Sequence, residues 1–286
     1  MTIREIPVGD GGPYALATGL DGALWFTLVR AGAIGRLFPG ATPTLFPVAP
    51  DSAPTVITAG PDGALWFTEY QGHRIGRITT KGDITAFDVP GSAPFGIAAG
   101  ADGALWFTAT ATDRIGRITT SGGISEITLP RPGMYPSAIA AGGDGALWFT
   151  LNQANAIGRV GADRTVSVFD LPTAQAGPVG ITAGPDGAMW FVQILAGQIG
   201  RITTRGTITE FPLPDRSGRP HGITAGLDGR LWFTEWAGNR VGSITTDGQI
   251  TTLDLPTPGS EPHGIVTGPD GALWTALETG SLARIG

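Results

Sequence analysis

The chain has 286 residues, more than a typical single domain but within reach of one large all-β unit. Its 46 Gly and 23 Pro stand beside 41% hydrophobic residues and eight Trp, a balance that excludes collagen-like and disordered chains and favours short strands joined by tight turns. The formal charge of −6 argues against a nucleic-acid partner, the absence of Cys removes disulfides and thiolate chemistry, and no apolar run reaches the ~18 residues of a membrane span.

From the N-terminus, Met1–Glu5 lacks the apolar stretch of a signal peptide, so a cytoplasmic protein is expected. The motif Asp-Gly-Ala-Leu-Trp-Phe-Thr then stands at Asp21–Thr27, Asp62–Thr68, Asp102–Thr108 and Asp144–Thr150, with variants at Asp186–Val192, Asp228–Thr234 and Asp270–Ala276. Its Trp residues (25, 66, 106, 148, 190, 232 and 274) recur every 40 to 42 residues. Each copy reads as four strands. Residues 178–184 give a short apolar strand after a Pro; a Pro-Asp-Gly turn follows; Leu-Trp-Phe-Thr is the second strand. Residues 74–80 exemplify the third and 208–214 the fourth. Seven such units predict an all-β fold: a seven-bladed β-propeller with four antiparallel strands per blade, occupying 1–286 as one domain. The chain stops inside the third strand of the seventh copy. Residues 2–7 match the fourth-strand pattern, so the N-terminal strand is expected to close the last blade. The repeated Trp residues are expected to form the core between blades.

Positions that differ between copies are free to carry function. After the Pro that opens each first strand stand Tyr14, Thr55, Phe95, Ser137, Val179, His221 and His263. Two of the three His in the chain thus share this position in neighbouring blades; the third, His73, is expected in a solvated turn. Four places past each Trp stand Val29, Tyr70, Thr110, Asn152, Ile194, Trp236 and Glu278, and before each opening Pro stand Gly12, Ala53, Ala93, Tyr135, Gly177, Arg219 and Glu261. The exceptions fall in the sixth and seventh copies, so Arg219, His221, Trp236, Glu261, His263 and Glu278 are predicted to converge at one mouth of the channel. Glu69, Gln193 and Glu235 alternate to the other side of their strands and are expected to satisfy polar groups between blades.

Glu261 and Glu278 match in number the one or two carboxylates that a hydrated Mg²⁺ takes, and a His beside such an ion can serve as general base. Without Cys or a three-His set, structural zinc is not indicated; without Gly-x-Ser-x-Gly, neither is an acyl-enzyme. A metal-dependent hydrolase or lactonase, a non-catalytic binding propeller and a solvated polar rim remain alternatives.

The segments Gly12-Pro13-Tyr14, Arg219-Pro220-His221, Trp232-Phe233-Thr234-Glu235-Trp236 and Glu261-Pro262-His263-Gly264-Ile265, with Glu278 four places after Trp274, resemble the virginiamycin B (streptogramin B) lyase family over the whole chain. The resemblance implies a monomeric, Mg²⁺-dependent enzyme that opens cyclic depsipeptides by elimination at a threonyl ester. It implies His263 as the residue that abstracts or shuttles the proton, His221, Tyr14 and Trp236 as substrate contacts, and Glu261 and Glu278 as metal ligands. One departure, Trp274-Thr275-Ala276 in place of Trp-Phe-Thr, is expected to weaken packing of the last blade and loosen Glu278.

Overall fold

The computed structural model describes residues 1–286. It consists of seven four-stranded antiparallel sheets, the blades of a β-propeller, whose first strands neighbour one another around a central channel. The fifth blade is representative, with strands Pro178–Ala183, Met189–Gln193, Gln198–Ile202 and Ile208–Pro212. The one helical element is a 3-10 turn, Arg216–Gly218, and no helix is long and apolar enough to cross a membrane.

The Asp of each repeat does more than form a turn. Gly187 takes the positive φ, 75°, that the turn requires. Asp186 is a clamp: Oδ1 accepts from the Trp190 indole at 3.0 Å and Oδ2 from Arg201 Nε at 2.6 Å. The same Asp–Trp hydrogen bond recurs in all seven copies. Pinned this way, Trp190 stacks on Phe211 of its own blade and packs with Ile223, Leu231 and Phe233 of the next. The Trp core is therefore between blades, as its repetition predicts.

Polar latches join neighbouring blades near the channel. The Thr that ends Trp-Phe-Thr accepts from a first-strand amide of its own blade and donates to a first-strand carbonyl of the next. The blades come so close here that a Cβ on Gly222 would lie 2.4 Å from the His263 carbonyl oxygen, which only Gly can permit.

The ring closes through the termini. Ile3–Pro7 pairs antiparallel with Ser281–Ile285, from Ile3 opposite Ile285 to Pro7 opposite Ser281. This outer strand completes the seventh blade and covers its edge.

Two expectations are corrected. Glu69, Glu235 and Gln193 pair chiefly within their own blades, with Arg74, Arg240 and Gln198 on the adjacent third strands at 2.6 to 2.7 Å. They lie at the ends of second strands, where the next strand of the same sheet is the nearest source of a partner. His73 is not a freely solvated side chain: it is half-buried, and its Nδ1 accepts from the Ala93 amide at 3.0 Å. Asp113, Asn155 and Asn239 accept an amide at the same place in later copies.

Candidate active site

A bulge in each first strand aims the variable side chains. In the seventh blade Pro262 pairs with Leu277 and Ile265 with Thr275, so His263 and Gly264 together face Ala276 alone. Tyr14 and His221 occupy the same bulge in the first and sixth blades. Such a two-against-one kink turns a side chain out of the pleat. The residue before each opening Pro has positive φ, 52° at both Arg219 and Glu261, and its carbonyl accepts from the residue four past the Trp. Trp236 N donates to Arg219 O at 3.0 Å and Glu278 N to Glu261 O at 3.3 Å. The two sets of exceptional residues are thus backbone partners.

Tyr14, His221, His263 and Glu278 meet at one mouth. His263 Nε2 lies 2.6 Å from Glu278 Oε2, and the rings of His221 and Tyr14 each lie with centroids 4.6 Å from that of His263. The Tyr14 hydroxyl is 3.4 Å from His221 Nε2. Trp236 is carried on the rim beside Arg219, whose guanidinium stands 5.9 Å from the indole centroid. Below the mouth, the channel holds a cavity of ≈ 200 Å³ lined largely by apolar residues, including Phe95, Val179 and Ile223. A dry cavity of about 150 Å³ accepts a benzene ring, so this space suits one side chain and a macrocycle would rest across the mouth.

Burial sets the protonation states. It pushes His221 down to about 3, helped by the neighbouring His263. Burial and the nearby Arg30 cation push His263 down to about 4. Burial, followed by the Glu278 charge, raises the Tyr14 hydroxyl and keeps it protonated. At neutral pH both imidazoles are uncharged. An ionised carboxylate oxygen can only accept, so His263 carries its proton on Nε2; its Nδ1 is covered and has no hydrogen-bond partner.

These depressed values give a stability prediction. Between about pH 4 and 6.5 the folded chain binds fewer protons at these rings than the unfolded chain, so their contribution is complete above about 6.5 and is lost as pH falls. The urea midpoint should drop between pH 7 and pH 5. His221→Phe should flatten that drop, and an equally steep drop in this variant would contradict the assignment.

Residues 1–285 match the virginiamycin B lyase family. The chain belongs to this family. The relative from Saccharopolyspora erythraea, a virginiamycin B lyase, is 59% identical over 87 residues, covering 30% of this chain and 29% of the relative's length. That from Bordetella pertussis is 50% identical over 50 residues, 17% of each chain. These matched stretches span under a third of the curated relatives' lengths. Solved structures align more fully. Virginiamycin B lyase from Staphylococcus aureus is 43% identical with a TM-score of 0.95, covering 99% of this chain and 98% of the other. A catalytically inactive His-to-Ala variant of the S. aureus enzyme, solved with quinupristin, is 42% identical at the same TM-score and coverage. The WD40 propeller of Doa1, at 9% identity and a TM-score of 0.81, shares the fold alone.

In this member of the virginiamycin B lyase family, Glu261 and Glu278 are the residues that would hold a divalent cation, and both oxygens of Glu278 already have partners in the chain. Glu261 and Glu278 leave the rim from backbone-bonded positions, and the half-buried Glu261 carboxylate makes no ion pair in the chain. Mg²⁺ is usually bound through one or two carboxylates together with waters, and no three His, Cys, Asp or Glu side chains come together here as a metal-binding group. Glu278 is not loosened by the altered last repeat. Thr275 is buried and donates to Gly264 O at 2.8 Å, and Glu278 is held by His263 and by Arg30, whose Nη1 reaches Oε1 at 2.8 Å. Arg30 escapes a reading of the sequence that stops four places past each Trp. At the fifth place the copies read Arg30, Gln71, Ala111, Gln153, Leu195, Ala237 and Thr279, where the one charged residue is the signal.

Proposed function

We propose that the chain is a carbon–oxygen lyase that linearises type B streptogramins, cyclic depsipeptides, by elimination at the threonyl ester. The observation that carries this reading is the His263–Glu278 pair, a neutral imidazole backed by a carboxylate at 2.6 Å in a buried mouth. Family membership and the S. aureus complex with quinupristin support the substrate class.

The imidazole of His263 accepts the α-proton of the threonyl residue on Nδ1, the ring nitrogen without a partner, once the side chains that cover it move aside for the substrate. The C–H electron pair becomes the Cα=Cβ double bond; the Cβ–O bond breaks, and its pair leaves with the ester oxygen as a carboxylate. The proton then passes from the ring to solvent. Glu278 compensates the imidazolium while it exists, as a carboxylate does behind a catalytic His. Tyr14, kept protonated, is a donor at the same mouth. Trp236 and Tyr14 supply flat apolar surface for the macrocycle, and His221 contacts it beside His263. Glu261 and Glu278 would hold Mg²⁺, which supplies positive charge for the carbonyl oxygen as the α-proton is lost.

Elimination consumes no water. Incubation with quinupristin, with and without EDTA, should give a linear product of unchanged mass carrying a new double bond, with turnover lost in EDTA and restored by added Mg²⁺. A product heavier by one water would assign a hydrolase instead, and full activity in EDTA would remove the metal from the proposal.

A further inference from the structure

We infer that Arg30 is a positioning residue: it fixes the Glu278 carboxylate so that Glu278 holds the Nε2 proton of His263. Its guanidinium bridges two groups of the same residue, with Nη1 2.8 Å from Glu278 Oε1 and Nη2 2.7 Å from the Glu278 carbonyl oxygen. A fork on side chain and main chain together sets both the place and the rotation of the carboxylate, which one contact would not do. Oε2 is thereby left facing His263 Nε2 at 2.6 Å.

A second observation shows that the chain makes room for this fork. Gly12 occupies the left-handed position before its Pro, with φ 69°, and a Cβ there would lie 3.1 to 3.2 Å from Arg30 Nε, Cγ and Cζ. Five of the seven copies place a side chain at that position, and the copy that must let Arg30 pass has none. Arg30 reaches from the first blade to the seventh, so it links the two blades that supply Tyr14 and His263.

The competing account is a surface ion pair. The Arg30 and Glu278 side chains are 52% and 30% exposed, and exposed pairs contribute little to stability. The two accounts part on the imidazole. The protein has three His, so ¹⁵N-His labelling at a fixed neutral pH resolves His263. In the wild type its ¹⁵N shifts should report one tautomer, with the proton on Nε2. In Arg30→Met they should move toward the average of two tautomers, and Arg30→Lys should recover part of the change. On quinupristin, kcat of Arg30→Met should fall about 10–100-fold with KM within about threefold, as when the partner that orients a functional side chain is lost. Wild-type His263 shifts retained in Arg30→Met would overturn the inference. This arm needs no turnover, so it decides the role of Arg30 even if the wild type leaves quinupristin intact; the kinetic arm alone rests on the lyase reading.

Discussion

Replacing His263 by Ala is expected to lower kcat on a type B streptogramin by about 10³-fold, within the 10²–10⁴ range of a positioned general base. His263 is only 7% exposed, but it sits in a strand bulge at the channel mouth and not in the core between blades, so melting should shift by a few degrees at most. The Glu278 carboxylate would keep its Arg30 contact and lose its imidazole partner. Tyr14, whose ring lies over His263, would gain space. Binding should survive better than turnover, because the apolar cavity and Trp236 remain. Steady-state kinetics with a parallel titration of the non-turning-over variant separates the two quantities. A kcat within tenfold of wild type would take the base role from His263 and return the problem to His221.

The second large effect is expected far from the mouth. Trp190→Ala should cost about 3–5 kcal/mol of stability, the range for removing a large aromatic from a core. Trp190 is fully buried, stacks on Phe211 at 5.6 Å and donates to Asp186 at 3.0 Å. Truncation would leave a void between two blades, and Asp186 would lose a donor while keeping Arg201. Trp236→Ala is the control. The side chain is half-buried on the rim, so its loss should cost less than about 1.5 kcal/mol while weakening macrocycle binding. Urea denaturation of both variants tests the division. A larger loss for Trp236 than for Trp190 would mean that the repeated Trp are not what holds neighbouring blades together.

The fold was legible because each copy repeats one solution to one packing problem. Trp190 and its six counterparts must each be buried against the next blade, and a repeat of 40 to 42 residues with alternating apolar positions leaves little freedom in how. Ring closure was legible for a related reason: a sheet edge demands a partner, and residues 2–7 carried the missing pattern. The clustering of His221, His263 and Glu278 followed from departures at matched positions. The sequence did not disclose the bulge at residues 263 and 264, because no residue type is obligatory there: Tyr14, Ser137 and Val179 fill the same place. Nor did it disclose that the residues before the opening Pro and those four past the Trp are joined by hydrogen bonds, since main-chain pairing leaves no mark in side-chain identity. The role of Arg30 depends on a long side chain crossing between blades over Gly12, a path set by three-dimensional distance. The partners of Glu69 and Glu235 were misassigned because alternation tells which face a residue takes but not which neighbour is nearest.

The closing strand has a bearing on when the molecule becomes functional during folding. Six blades are each a contiguous stretch of about 35 residues and can form from local pairing as soon as they exist. The seventh, which bears His263 and Glu278, needs a segment from the opposite end of the polypeptide, and the Arg30 fork spans 248 positions. Such distant pairing carries the largest loop-closure cost in the ring, so it comes late and is the first to open. An intermediate with six finished blades would already have most of its tryptophans buried and most of its far-ultraviolet signal, yet would lack an ordered imidazole–carboxylate pair. Competence for chemistry is therefore tied to the final act of circularisation.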